Sequence, residues 1–148
     1  MNKKYILLLA LMVLTALLAG WYLTTRDAVP ENTLRVTWVG KTTDLDAAKL
    51  TGEPVKGTLI NGKGKETAVD TTGLSLQAAL TAAKVDITAV ESVTVTAQDA
   101  FSAELTGEEI REEGKASLIL ENGEVTLVVF GDSNSKRNVR QVMQIDVQ

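Results

Sequence analysis

The sequence predicts an α+β domain, a β-rich mixed sheet or barrel-like body with a few short helices, preceded by one N-terminal transmembrane helix. Three observations carry this. Apolar and polar residues alternate in several short runs, most regularly at Val93, Val95 and Ala97 against Thr94 and Thr96, the period of a half-buried strand. Asn-Gly pairs at Asn61-Gly62 and Asn122-Gly123 separate such runs, the strongest short-range hairpin signal. Helical spacing is confined to short segments and to one long uncharged run at the N-terminus.

That run, Tyr5 to Leu23, has 19 residues without charge, about the length needed to cross ~30 Å of hydrocarbon at 1.5 Å per residue. Lys3 and Lys4 precede it and Trp21 and Tyr22 close it, which predicts a cytoplasmic N-terminus and an aromatic belt at the far interface. A cleaved signal peptide is the alternative, but the run ends without an A-x-A site. Leu17-Leu18-Ala19-Gly20 resembles a lipoprotein box, yet Trp21 stands where the lipidated cysteine would be. The division expected is a signal-anchor over residues 1–25, a polar tether over 26–32 containing Pro30, and an extracytoplasmic domain over 33–148. The chain is then a single-pass cell-membrane protein held through residues 5–23, or a secreted one if the segment is cleaved.

Leu34 to Val39 reads as a strand, with Trp38 at a core edge. Thr43-Asp44-Leu45-Asp46 fits a capping box with Asp in place of Glu, opening a short helix through Leu50. Val55 to Ile60 is a strand, Asn61-Gly62 its hairpin turn and Lys65 to Asp70 the return, with Thr71-Thr72-Gly73 a turn. Leu76, Ala79, Leu80 and Ala83 then share one face of a helix capped by Ser75. Gln98-Asp99-Ala100 is turn-like, and Phe101 is expected in the core. Thr106 and Glu109 form a second capping box, with Glu108, Glu109, Glu112 and Glu113 on a solvated face. Ala116 to Glu121 and Glu124 to Phe130 are nearly apolar on both faces, as in central strands covered on two sides. Gly131 to Asn138 is a polar loop and Val139 to Val147 the last strand.

Composition limits the chemistry. There is no cysteine and no histidine, which removes thiol nucleophiles, disulfides, the usual zinc sites, His-ligated haem and His-based triads. The sequence therefore leans away from an enzyme. Beyond Pro30 the chain holds 12 basic and 18 acidic residues, a balance of −6, which argues against nucleic acid as a partner. The concentrated basic residues of the domain are Lys136, Arg137 and Arg140, near Ser135. With Asn61 and Lys63 of the glycine-rich turn, they make the candidate ligand-binding set for a small anionic group.

The order of these pieces resembles the oxidoreductase molybdopterin-binding domain, the fold of sulfite oxidase and its bacterial relatives. Asp44-Leu45 to Leu50 followed by Val55-Lys56-Gly57-Thr58-Leu59 looks like the family's short helix and strand. Gly73-Leu74-Ser75-Leu76 with Leu80 looks like its G-x-x-L-x-x-L-L helix. Asp99-Ala100-Phe101-Ser102 looks like its D-G-[FY]-s turn, and Asn122-Gly123, Val125 to Gly131 and Val139 to Val147 look like its closing pattern. The resemblance implies an oxidoreductase-like fold with a pterin site near Gly131 to Arg140. The family's molybdenum-ligating cysteine falls where Leu59-Ile60-Asn61-Gly62 stands here, so metal ligation of that kind has no thiolate. A non-catalytic module for a small anionic ligand or an envelope protein, with no cofactor, is expected. The alternatives are a redox protein retaining molybdopterin or flavin, and a structural or adhesion domain of the envelope.

Overall fold

The computed structural model describes residues 2–25, 29–30 and 32–148, with side chains of 23–25 left aside. The remaining tether positions predicted at 26–28 and 31 lie outside the described residues. Helix α1, Lys3–Thr25, is long and apolar enough over Lys3–Tyr22 to cross a membrane or to serve as a signal sequence.

Nine strands follow among the described residues, in two sheets. Strands β1 (Thr33–Trp38), β2 (Lys41–Asp46), β5 (Ser92–Ala97), β6 (Ser102–Thr106) and β9 (Val142–Val147) form a mixed sheet in the order β2-β1-β9-β5-β6. Its one parallel ladder joins β1 to β9. Strands β3 (Glu53–Ile60), β4 (Glu66–Ser75), β7 (Ala116–Glu121) and β8 (Glu124–Val129) form an antiparallel sheet in that order. Among the described residues no barrel forms, because no ladder closes either sheet.

The main core lies between the sheets. Leu34, Val36, Val93, Val95 and Ile145 of the mixed sheet face Leu118, Leu127 and Val129 of the other. Helix α2, Leu76–Ala82, plugs one side with the predicted face: Leu76, Ala79 and Leu80 are fully buried, and Ser75 Oγ accepts from the Ala78 amide. Helix α3, Gly107–Arg111, has the predicted capping box between Thr106 and Glu109. Both helices are too short to stand alone and owe their stability to this packing.

Several expectations fail for physical reasons. The helix predicted from Thr43 is β2: pairing with β1 sets Leu45 opposite Leu34 and Asp44 beside the Arg35 guanidinium at 2.9 Å. Asp46, rather than Thr43, caps a single 3-10 turn at Ala47–Lys49. Val39 leaves the strand to form a two-residue turn with Gly40, at φ 49° and 70°. Asn122-Gly123 is the left-handed pair expected, at 52° and 79°, but in the other Asn-Gly hairpin the positive φ falls at Gly64. There Asn61 Oδ1 accepts from the Lys63 and Lys65 amides. Thr71 to Gly73 continues β4 instead of turning. Phe101 is 48% exposed, not a core anchor. Strand β7 is interior, but β8 ends its sheet and meets only an isolated bridge to Val139, three residues before β9 starts.

Two substitutions test this packing. Val39 holds a β-branched side chain at positive φ on a surface turn, so Val39→Asn should raise the unfolding free energy by about 1 kcal/mol. At Gly107 a Cβ would collide with the Val90 carbonyl oxygen, so Gly107→Ala should cost about 1–3 kcal/mol. Chemical denaturation of both variants against the parent checks the two signs.

Candidate functional site

The predicted basic cluster divides on folding. The Arg137 guanidinium is turned inward against two carboxylates. Its Nε and Nη2 donate to Asp132 Oδ2 and Oδ1 at 2.8 and 2.6 Å. Nη2 and Nη1 donate to Glu109 Oε1 and Oε2 at 2.7 and 2.9 Å, and Nη1 also reaches the Glu104 carbonyl at 3.3 Å. All five N–H donors of an arginine are thereby used, so Arg137 is a structural tie and has nothing left for a ligand. Glu109, expected on a solvated face, belongs to this tie. Lys115 adds a second contact to Asp132 at 3.4 Å.

The electrostatics follow from the geometry. Hydrogen bonds from Arg137 hold the carboxyls of Glu109 and Asp132 below their ordinary values, against the opposing effect of partial burial. The guanidinium is held more firmly protonated by the same bonds.

The tie fixes the loop Gly131 to Arg140 across one end of the antiparallel sheet. Asn138 Oδ1 accepts from the Val129 amide at 2.9 Å, and Leu127 and Val139 exchange backbone hydrogen bonds at 2.7 and 3.1 Å. Ser135 Oγ donates to the Ile60 carbonyl at 2.7 Å, joining the loop to the end of β3. Phe130, just beyond β8, lies against Gly57 of β3, with no room there for a Cβ. The two ends of the sheet thus meet through side chains, and its second face becomes concave.

Inside that curve lies a groove of about 1160 Å³. Leu59, Val69, Ile119 and Val128 give it an apolar floor, and Phe101 of the β5–β6 turn stands at its side. Of the predicted site residues, Asn61, Ser135 and Arg140 line the groove, while Lys63, Lys136 and Arg137 do not. The side-chain oxygen of Asn61 and the hydroxyl of Ser135 serve the turn and the loop, which leaves Arg140 as the cation facing the space. Four carboxylates share the lining: Asp70, Asp99, Glu121 and Glu124. The alternation of β3, β4, β7 and β8 marks two-faced strands in the sequence, but nothing local to those runs indicates that their second faces enclose a common space.

This lining does not fit the pterin cofactor that the family resemblance implies. The chain has no cysteine to supply a thiolate, and a phosphate-bearing group in this groove would meet more carboxylates than cations. Among the described residues no group of three or more acidic side chains is placed to hold a metal ion. No protein-family model matches the chain, and comparison with curated proteins gives no match.

Arg137→Met leaves Glu109 without its cation and Asp132 with Lys115 alone, and should cost about 2–4 kcal/mol at neutral pH. Because both folded-state values are depressed, the stability they contribute is present above the unfolded-state values near pH 4. It is lost as pH falls through the folded-state values. The difference between parent and variant, measured by denaturation from pH 7 down to pH 2.5, should therefore be constant above about pH 5 and shrink below pH 4.

Proposed function

We propose that this chain is a membrane-tethered, extracytoplasmic binding module without catalytic chemistry, built on a reduced fold of the molybdopterin-binding type. The observation that carries the reading is the groove: a concave space with an apolar floor at Leu59, Val69, Ile119 and Val128 and a broad rim of carboxylates, hydroxyls and amides, and concave sites are where ligands are usually held. Its volume exceeds the range of most small-molecule pockets, and its lining is acidic, so a protein partner suits it better than the small anionic ligand expected from the sequence.

The groove lies near the point where the N-terminal segment joins the domain. Val29, Pro30 and Asn32 border a hollow that also contains Gln98, Glu124 and Gln141, and Glu124 and Gln141 line the groove as well. The chain therefore enters the domain at the same end as the groove. A module held at a bilayer surface would present this opening toward the membrane and its neighbours.

The full-length chain, purified in detergent from its native compartment, tests the reading. Metal content by mass spectrometry with absorbance and fluorescence spectra should show no stoichiometric molybdenum and no pterin or flavin band. Either signal at one equivalent per chain would overturn the non-catalytic reading and favour the redox alternative.

A further inference from the structure

We propose that the groove takes up an extended peptide segment of alternating apolar and basic residues, by strand addition to the free edge of β4. This rests on the binding-module reading and names its partner's chemistry.

The backbone argument comes first. Strand β4 pairs with β3 from Glu66 to Gly73, but with β7 only at Gly73, Leu74 and Ser75. Among the described residues, Glu66 to Thr72 have no partner strand on the β7 side. Five consecutive residues, Thr67 to Thr71, line the groove. A strand showing only its face would contribute alternate residues, so it is the edge of β4 that borders the space. Alternate N–H and C=O groups along that edge are open to an added strand, and seven residues give a ladder about 23 Å long.

The other edges of this sheet are defended. β8 is stitched to Val139 and Asn138, and the outer strand β3 carries Pro54, a residue that opposes strand addition. The inner edge of β4 has no such guard and borders an apolar floor.

Charge selects the side chains. Glu121 and Glu124 are directly opposed across the β7–β8 turn, an arrangement unfavourable by itself and relieved by a bound cation. Asp99 adds to them, against Arg140; Asp70 is already paired with Lys56 at 3.6 Å, and Glu124 accepts from Gln141 Nε2 at 2.8 Å. An incoming strand would place apolar side chains on the floor and lysine or arginine toward this rim.

The test uses the full chain in detergent micelles and a short capped peptide of alternating lysine and valine. Binding should protect amides between Thr67 and Thr71 from hydrogen exchange. It should weaken about tenfold at high salt, and about five- to tenfold in the variant carrying Glu121→Gln and Glu124→Gln. Backbone N-methylation along one edge of the peptide should abolish it, a control that leaves the protein unaltered. Equal binding of the N-methylated peptide, or of a glutamate-valine peptide, would overturn the inference. Protected β4 amides in a chain that sediments as a dimer before peptide is added would replace it with a second copy as occupant. A colourless, metal-free chain that binds none of the peptides would overturn the inference alone, whereas a cofactor spectrum would remove the reading beneath it.

Discussion

The Arg137 guanidinium, shared between Asp132 and Glu109, is the constraint on which the shape of the antiparallel sheet depends. Glu109 belongs to the capping box of α3, Asp132 to the loop after β8, and Lys115 beside them leads into β7. One planar cation thus joins the start of α3 to the loop after β8, and Lys115 joins that loop to the entrance of β7. Bidentate arginine pairs fix orientation as well as distance, and partial burial makes each partner costly to lose. With the loop fixed, Ser135 and Asn138 are positioned to hold Ile60 and Val129. Those two contacts draw the ends of the sheet together.

The groove is a consequence of where this closure stops. Phe130 against Gly57 and Ser135 on Ile60 bring β3 toward the far side of β8, while the β4–β7 ladder ends after three residue pairs. Side chains close the curve and backbone does not. The result is an apolar concavity bordered by an unpaired strand edge and by carboxylates, with Arg140 as the cation facing it. The proposed peptide-binding role rests on this combination of floor, edge and charge.

Much of the main core was legible in the sequence. The period of 3.6 at Leu76, Ala79, Leu80 and Ala83, and the period of two at Val93, Val95 and Ala97, each identified faces that are buried. The capping residues Ser75 and Thr106 were equally clear, because their hydrogen bonds are local. What failed was decided at long range. Thr43 to Asp46 has a helix-start pattern, but the ladder to β1 and the Arg35–Asp44 contact outweigh a weak local preference. Valine is a poor residue at positive φ, so Val39 gave no hint of its turn. The candidate site suffered most. Lys136, Arg137 and Arg140 are neighbours in sequence, yet only tertiary structure shows that Arg137 is consumed by Asp132 and Glu109 while Arg140 faces the groove. The four carboxylates of that lining come from β4, the β5–β6 turn, β7 and β8, a separation that no motif spans.

The most direct measurement is native-state hydrogen exchange on the parent and Arg137→Met chains under mildly stabilising conditions. If the guanidinium holds the loop that shapes the groove, the variant should lose protection first at the amides of Leu127, Val129 and Val139, whose bonds secure the loop to β8. The amides of Val93 and Val95, inside the other sheet, should keep theirs. Protection falling equally at both sets, or at neither, would contradict the account.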